Sequence, residues 1–169
     1  MWNGGQHLMW EHLVRLYYID MDSSLKILPK TTYEHIQLTP YSKMRVSLAA
    51  QVLSSTMDIA LKKYGGEQAA AKAKFCELVD AFFDCSNVRS TNEHVRKRKP
   101  NSAPYKELND SRFMWLEDAF LRYFDEWKKR IESREGNFNK NAQSQMFISR
   151  QTFEGFKMLF DSCHKLSSL

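Results

Sequence analysis

Residues 39–66 read TPYSKMRVSLAAQVLSSTMDIALKKYGG, and this stretch decides the class of the fold. Threonine is a good N-cap and proline is favoured at the first helical position, so the sequence predicts that a helix begins at Thr39 and Pro40. Apolar residues then follow the i, i+3, i+4, i+7 spacing of one helical face until Gly65 and Gly66 stop the pattern. The residues on that face are Val46, Ala49, Ala50, Leu53, Met57, Ala60, Leu61 and Tyr64. The stretch therefore predicts one long amphipathic helix.

A second helix is predicted from about Glu67 to the segment 82–87. Because only a short glycine turn separates it from the first, the two helices are expected to form an antiparallel hairpin. The best periodicity in the chain lies further on, where apolar residues recur three or four positions apart and predict a third long helix. Those residues are Phe113, Leu116, Phe120, Phe124, Trp127 and Ile131.

The remaining segments complete the predicted architecture. Shorter helices are expected over 10–19 and from Ser149 onward, whereas 87–109 and 133–145 have the composition of polar loops. The sequence therefore predicts an all-α fold, an irregular bundle of about five helices with polar loops, in a single domain over residues 1–169. The sequence leaves undecided whether a short β-hairpin is present near the N-terminus.

The composition narrows the class of protein. The chain has 169 residues, of which 43% are hydrophobic, and this is enough for one domain with a packed core. Three cysteines, Cys76, Cys85 and Cys163, are too few and wrongly spaced for a zinc module or a disulfide framework, which indicates a reducing compartment. The N-terminus does not have the pattern of a signal peptide, and no apolar run reaches the ~18–20 residues of a membrane span. We therefore predict no membrane partner.

No catalytic motif emerges from the sequence. The five histidines are scattered, and His7 and His12 are five positions apart, so they do not form an i, i+4 metal pair. The side chains of adjacent acidic residues, such as Glu117 and Asp118, point in different directions on a helix and so do not form a pair of cooperating carboxylates. Nucleophile-elbow, zinc-protease and phosphate-loop motifs are absent from the sequence. We therefore predict neither catalytic residues nor metal ligands.

The charge of the chain permits contact with a polyanion. The formal net charge is +5, and a basic run, RKRK, occupies residues 96–99. Such a run is typical of a solvated surface, of a nuclear localisation signal, or of a contact with a nucleic-acid backbone. These three interpretations stay open at this point.

Two helix ends carry charges of the sign that the helix dipole disfavours. Lys43 and Arg45 follow the predicted start of a helix, whereas Asp84 lies near the end of the next one. Cations at a helix start can bind phosphate, and solvent exposure is the simpler interpretation. Asp84 and Asn87 are three positions apart and have groups that can read a guanine edge, the carboxylate accepting from N1–H and N2–H₂ and the amide donating to O6 or N7. An ordinary helix end is the simpler interpretation of this pair as well.

A resemblance to a known family rests on several motifs in a fixed order. Residues 28–36 read LPKTTYEHI, residues 43–54 read KMRVSLAAQVLS, and residues 83–90 read FDCSNVRS. In this order they resemble the GTP-binding insertion domain of P-element-type transposases, including the THAP-domain-containing transposase-like proteins. The resemblance covers nearly the whole chain. Further segments that support it lie at 2–4, 10–17 and 147–156.

The resemblance implies a helical domain that, in the family, is inserted into an RNase H-like catalytic domain. There it binds GTP as a cofactor for assembling the transposase on transposon-end DNA and does not hydrolyse it. Mg²⁺ is an optional bridge between the phosphates. The implied partners are a guanine nucleotide and, beyond it, transposon-end DNA or a full-length transposase, and the implied location is the nucleus, with the cytoplasm left open.

The site residues also follow from the resemblance. The family's base contacts fall on Asp84 and Asn87, its lysine contacts fall on Lys43 and Lys30, and a late carboxylate contact falls on Asp161. The predicted cofactor-binding set, in which the phenylalanine is a stacking candidate by position, is Lys30, Lys43, Phe83, Asp84, Asn87 and Asp161.

The chain departs from the family pattern in what surrounds this domain. The zinc-coordinating THAP module and the acidic residues of the RNase H-like domain are absent from the sequence, so we expect an isolated insertion domain that does not cut or join DNA. The leading hypothesis is a non-catalytic GTP-binding domain. The alternatives are a DNA- or protein-interaction module that no longer binds nucleotide, and a transposase remnant without function.

Overall fold

The computed structural model describes residues 1–107 and 109–166, with side chains as far as Ser162. Two strands of two residues each pair into a small sheet, β1 (Trp2–Asn3) and β2 (Gln6–His7), so the hairpin that the sequence left open is present. The rest of the regular structure is helical, and the all-α prediction is confirmed. The α-helices are α1 (Glu11–Asp22), α2 (Tyr33–Ile36), α3 (Val46–Val52), α4 (Ser55–Tyr64), α5 (Ala70–Ser86), α6 (Glu93–Lys97), α7 (Ser111–Trp115), α8 (Arg122–Glu132), α9 (Lys140–Met146) and α10 (Arg150–Leu166).

The chain divides into two compact units. The N-terminal unit is Gly5–Asp80, and the C-terminal unit is Ala81–Leu169 together with Met1–Gly4. Helix α5 runs through the division at residue 80, so its first part belongs to one unit and its last turn to the other. The single domain expected from the sequence stays a prediction.

The long helix predicted from Thr39 to Gly65 is divided into three helical segments. Ser42–Met44 is a single turn of 3-10 helix, Arg45 has an extended backbone, and α3 begins only at Val46. The prediction that Lys43 and Arg45 follow the start of one continuous α-helix from Thr39 is therefore wrong. Thr39 does cap the first turn, because its Oγ1 accepts a hydrogen bond from the backbone N–H of Ser42 at 3.1 Å, and the interruption lies at the extended residue Arg45.

A second break separates α3 from α4. Ser54 has an extended backbone and its side-chain oxygen accepts a hydrogen bond from the backbone N–H of Met57 at 3.4 Å, so it caps α4. The predicted stop is confirmed, since α4 ends at Tyr64 and Gly66 has φ +69, a value that glycine adopts without the strain of a side chain. A 3-10 turn, Glu67–Ala69, then leads directly into α5.

Aliphatic and small residues form the core of the N-terminal unit. Small side chains on α5 let it approach the leucines of α1 and α4 closely, and these leucines are almost completely buried. The members of this core are Leu13, Leu16, Leu28, Val52, Met57, Ala60, Leu61, Ala69, Ala73 and Cys76.

Aromatic residues form the core of the C-terminal unit. The predicted helix over 109–131 is present as α7, a π-helical segment (Leu116–Leu121) and α8, and it buries Phe120, Phe124 and Trp127 completely. Phe120 stacks on Phe82 with ring centroids 4.4 Å apart and an interplanar angle of 9°. The strongest sequence pattern therefore corresponds to a helix that buries one aromatic face in this core.

The two segments read as polar loops contain helices. Helix α6 lies in the first, and a 3-10 turn, Pro100–Ser102, follows it. Helix α9 lies in the second, where Asn139 Oδ1 accepts a hydrogen bond from the backbone N–H of Ala142 at 2.8 Å. These helices expose most of their surface, which is why apolar periodicity does not reveal them. The side chain of Cys163 lies outside the described residues.

No helix in the described ranges is both long enough and apolar enough to cross a membrane.

Candidate functional site

A cavity of about 220 Å³ lies in the N-terminal unit. It is bounded by Trp10 just before α1, by α2, by the 3-10 turn at residues 42–44, by α3 and by Lys72 of α5, so the segments that interrupt the predicted long helix also shape its wall. Apolar side chains make most of that wall, and polar groups are few. The lining residues are Trp10, His35, Leu38, Ser42, Lys43, Arg45, Leu48, Ala49, Val52, Leu53 and Lys72.

Three of the lining side chains are cations, and none is a carboxylate. Lys43 is exposed and has no hydrogen bond or ion pair through its ammonium group within the described part of the chain. Arg45 Nη1 donates to Glu34 Oε2 at 2.7 Å, and both of those side chains are well exposed. The cavity thus combines positive charge with apolar walls, which is the arrangement that strengthens electrostatic attraction for an anion.

Lys72 is the least expected member of this lining. It is only 5% exposed, and it has neither an ion pair nor a hydrogen bond with any residue that the structure describes. Its ammonium nitrogen lies 5.7 Å from the ring centroid of Phe75. Burial lowers the pKa of Lys72, because an ammonium group is costly to remove from water.

The groups around Lys72 do not neutralise it. Burial raises the pKa of the Cys76 thiol to about 11, and this thiol donates a hydrogen bond to the carbonyl of Val52, so Cys76 is neutral at pH 7. His12 carries a buried Nδ1 without a hydrogen-bond partner in the described structure. Burial lowers the pKa of His12, and the charge of Lys72 lowers it further. Carboxylates act on His12 and Cys76, but Lys72 itself forms no ion pair with a residue that the structure describes.

His35 supports the cavity wall. Its Nδ1 accepts a hydrogen bond from the backbone N–H of Thr32 at 2.9 Å, so its Nε2 is the donor to Gln51 Oε1. This side chain is 2% exposed and its polar atoms have partners. It therefore fixes α2 against α3 and is not a candidate for catalysis.

Asp84 lies in the last turn of α5, as predicted, and belongs to the C-terminal unit. Its carboxylate accepts two hydrogen bonds from the ammonium group of Lys99, at 2.8 and 2.9 Å. The Asp84 side chain is 13% exposed and that of Lys99 is 33% exposed. A pair at this depth is better protected from solvent than a surface ion pair, so it also stabilises the segment that follows α6.

The other predicted contacts of the C-terminal unit are more exposed. Asn87 follows the end of α5, and its Oδ1 accepts a hydrogen bond from Arg89 Nε at 3.0 Å. The Phe83 side chain is 37% exposed, whereas its neighbour Phe82 faces the core. Asp161 lies on the exposed surface of α10.

The predicted set is thus divided between the units. Lys30 and Lys43 belong to the N-terminal unit, where Lys43 lines the cavity and Lys30 lies in an exposed turn outside its lining. Phe83, Asp84, Asn87 and Asp161 belong to the C-terminal unit. As a set, these assignments stay predictions.

Two residues of interest escaped the sequence reading. Lys99 was taken together with its basic run, and only the fold brings it to Asp84, 15 positions away. Lys72 had a visible signal, because it lies three positions after Ala69 and four before Cys76, on the buried face of α5. A lysine in an apolar stripe indicates a buried cation.

Metal-binding side chains do not cluster in the part of the chain that the structure describes. No group of three or more histidine, cysteine, aspartate or glutamate side chains there could hold an ion. A magnesium ion that accompanies a nucleotide often keeps several waters and binds mainly to phosphate oxygens, so it does not require such a cluster.

Comparison with known families gives the class of the protein. The family model described as "TNP-like, GTP-binding insertion domain" matches residues 1–99. The chain therefore belongs to the family of GTP-binding insertion domains of transposase-like proteins. The family predicted from the motifs is confirmed at this level, and the match is to an insertion domain rather than to a catalytic one.

The matched segment contains both the cavity and the last turn of α5, and it ends at Lys99. Asp161 lies beyond it. Comparisons with curated proteins and with solved structures found no match.

Proposed function

We propose that this chain is a non-catalytic module that binds GTP, as the insertion domain of a P-element-like transposase does. The observation that carries the proposal is the family match over residues 1–99, which includes Asp84, Asn87, Lys30 and Lys43. In this proposal GTP is a bound cofactor for assembly with DNA, and the chain does not hydrolyse it.

Asp84 is the proposed reader of the guanine edge. Its carboxylate accepts from the N1–H and N2–H₂ groups of guanine, and these donors replace the ammonium group of Lys99. Adenine lacks this pair of donors. A base that displaced Lys99 without donating to Asp84 would leave a partly buried carboxylate unsatisfied, at a cost of about 1–3 kcal/mol. This difference supports a preference for GTP over ATP.

The remaining residues of the proposed set have supporting roles. The Asn87 amide donates to an acceptor on the base, and the exposed ring of Phe83 offers a stacking surface. Lys43 and Lys30 are proposed to meet phosphate oxygens, with Mg²⁺ bridging those oxygens. Asp161 is the least supported member, because it lies outside the matched segment.

Titration calorimetry of the full chain with GTP and with ATP, in the presence of magnesium, tests the proposal. We expect GTP to bind and ATP to bind at least about tenfold more weakly, which corresponds to about 1.4 kcal/mol. Asp84→Asn should remove most of this preference, because an amide presents only one acceptor oxygen. Equal binding of the two nucleotides, or no binding, would overturn the guanine assignment.

Lys99→Met is the matched control for Asp84→Asn. Both substitutions break the same ion pair, but only Asp84→Asn removes the carboxylate. If Asp84 reads guanine, Lys99→Met retains the preference for GTP and binds it at least as tightly as the wild type. If both variants lose GTP binding to the same extent, the ion pair matters for structure alone and Asp84 is not a base contact.

A second candidate function is contact with DNA. Arg96 and Arg98 are exposed and form no ion pair with residues that the structure describes, in contrast to Lys97 and Lys99 of the same run, which pair with Glu93 and Asp84. Binding to duplex DNA that weakens steeply with salt and does not change with GTP favours this function. Transposon-end DNA, a full-length transposase and a nuclear location belong to the same proposal.

A further inference from the structure

We propose that Lys72 is an anion-binding residue, and that the cavity which it lines with Lys43 and Arg45 takes the phosphoryl oxygens of the ligand. This inference rests on the proposed function, because it names the part of the nucleotide that enters the cavity. Lys72 is not among the residues that the family motifs suggest, and only its position in the fold identifies it as a candidate.

Lys72 carries an ammonium group that is buried without an ion pair, and such burial is costly. Transferring a charged group out of water costs several kcal/mol unless a partner compensates for it. Lys72 is 5% exposed and has no ion pair or hydrogen bond among the described residues. An anion in the cavity supplies the missing partner, and phosphoryl oxygens are the charged acceptors that a lysine binds as a point charge.

Two carboxylates of the N-terminal unit are already paired with other lysines. The Oδ2 atom of Asp58 on α4 accepts a hydrogen bond from Lys62 at 3.1 Å, and Glu77 on α5 accepts from Lys62 and Lys74 at 2.8 Å. The Cys76 thiol, which interacts with the charge of Lys72, is protonated at pH 7. The exposed lysines Lys62 and Lys74 are thus paired, whereas the buried Lys72 forms no ion pair with a residue that the structure describes.

The size and lining of the cavity suit the phosphate end of a nucleotide. Its volume of about 220 Å³ is below the ~300–1,000 Å³ of pockets that enclose a whole small molecule, so the cavity suits one end of a nucleotide rather than all of it. Three cations and no carboxylate line this space, so the end that it suits is the phosphate chain. Apolar walls such as Leu48 and Val52 reduce solvent screening and strengthen the attraction.

A purely structural role for Lys72 predicts a different outcome. The aliphatic stem of a lysine packs against apolar neighbours, and methionine reproduces most of that stem without the charge. If only the stem matters, Lys72→Met leaves anion binding unchanged. If Lys72 binds phosphate, the same substitution stabilises the ligand-free chain, because a buried unpaired cation is removed, and it weakens anion binding. The binding measurement therefore separates the two roles.

The experiment uses the full chain as wild type, Lys72→Met and Lys74→Met. Lys74 is the matched control, since it is on the same helix but is exposed and paired with Glu77. Calorimetry with inorganic tripolyphosphate, GTP and guanosine measures binding, and thermal unfolding without ligand measures stability. We expect Lys72→Met to bind tripolyphosphate and GTP at least about tenfold more weakly, a loss of about 1.4 kcal/mol, and to leave guanosine binding unchanged. We also expect its unfolding midpoint to rise by about 2–4 °C.

The outcomes separate this inference from the proposed function. If the wild type binds GTP more tightly than ATP, and Lys72→Met binds GTP as tightly as the wild type does, then Lys72 does not bind the anion and the proposed function stands. If tripolyphosphate binds in a Lys72-dependent manner but GTP shows no advantage over ATP, the anion site stands and the guanine assignment is wrong. If neither GTP nor tripolyphosphate binds, both are wrong. Lys72→Gln, a second variant without the charge, gives the same test if the methionine variant does not fold.

Discussion

The N-terminal and C-terminal units differ in how they treat buried charge. The N-terminal unit packs leucine, alanine and cysteine tightly and encloses Lys72 without a counter-charge. The C-terminal unit packs stacked aromatic rings, and its partly buried carboxylates Asp84 and Asp110 each accept hydrogen bonds from a basic side chain. The N-terminal unit thus leaves the buried charge of Lys72 without an ion pair, whereas the C-terminal unit pairs these two partly buried carboxylates with its own basic side chains.

This difference has a consequence for any ligand. An anion that enters the cavity of the N-terminal unit gains a buried cation that has no other partner, so little has to be broken. A base that reaches Asp84 in the C-terminal unit has to replace two hydrogen bonds from Lys99. We therefore expect an anion to gain more free energy in the cavity than a base gains at Asp84, because an exchange of hydrogen bonds yields a small net free energy.

The largest stability effect is expected in the aromatic core. Phe120 is completely buried and contacts Phe82, Phe124 and Phe156, with ring centroids 4.4 to 5.1 Å apart. Phe120→Ala should lower the free energy of unfolding by about 3–5 kcal/mol, because both the transfer energy and the aromatic contacts are lost. Urea denaturation monitored by far-UV circular dichroism measures the change.

Ile131→Val is the control for this core. It deletes one methylene from a side chain of the same unit that is 5% exposed, so the expected loss is only about 0.5–1.5 kcal/mol. A loss for Phe120→Ala no greater than that for Ile131→Val would contradict the view that stacked aromatic rings hold this unit together.

The sequence predicted the helices that bury a continuous apolar stripe. The pattern over 113–131 and the stop at Gly65 and Gly66 both agree with the structure. The breaks at Arg45 and Ser54 were missed, because apolar residues such as Leu53 and Met57 fit one helical face whether or not an extended residue interrupts the helix between them. Periodicity records which residues face the core and is insensitive to a single extended residue.

The candidate site was harder to predict for a physical reason. The family motifs named Lys43 and Asp84 because these residues lie in recognisable strings, and the family itself is confirmed by the match over residues 1–99. The partner of Asp84 is a lysine 15 positions away, and the burial of Lys72 depends on how α1, α3 and α5 pack. Contacts between distant parts of the chain leave no trace in local spacing.

A smaller loss of stability is expected when the ion pair between Arg112 and Asp110 in the C-terminal unit is removed. Arg112 donates to Asp110 at 2.7 Å and to the backbone carbonyl of Asn101 at 2.9 Å, and its guanidinium carbon lies 3.7 Å from the ring centroid of Tyr105. Arg112→Met should lower the free energy of unfolding by about 2–4 kcal/mol, because several charge-assisted hydrogen bonds are lost together. Arg122→Met removes an exposed i, i+4 ion pair to Asp118 and should cost less than about 0.5 kcal/mol.

The pH dependence of the same pair gives a second measurement. The hydrogen bond from Arg112 holds the pKa of Asp110 below its ordinary value of 3.8. Because the folded pKa is depressed, this stabilisation is fully present above pH 3.8 and is lost as the pH falls through the lowered pKa. The stability gap between the wild type and Arg112→Met should therefore narrow as the solution is acidified below about pH 4. A gap that stays constant down to pH 2 would show that Asp110 does not contribute through its charge.

The smallest effect concerns the uncompensated charge of the N-terminal unit. Burial lowers the pKa of Lys72 below its ordinary value of 10.5. Between the lowered pKa and 10.5 the unfolded chain binds more protons than the folded one, so the stability of the wild type rises with pH in that window. Methionine does not titrate, and the variant Lys72→Met should therefore exceed the wild type in stability most at low pH, by about 1–2 kcal/mol.

This excess should shrink as the pH approaches 10.5. The raised pKa of Cys76 makes folding less favourable at high pH in both proteins, so its effect largely cancels in the difference. His12 titrates close to Lys72 and responds to its charge, and measurements above about pH 8 keep that histidine neutral in both proteins. Urea denaturation of the two proteins at several pH values between about 8 and 10 measures the difference. A difference that is independent of pH would mean that Lys72 keeps its proton at no cost in the folded chain, and the contrast between the two units would then disappear.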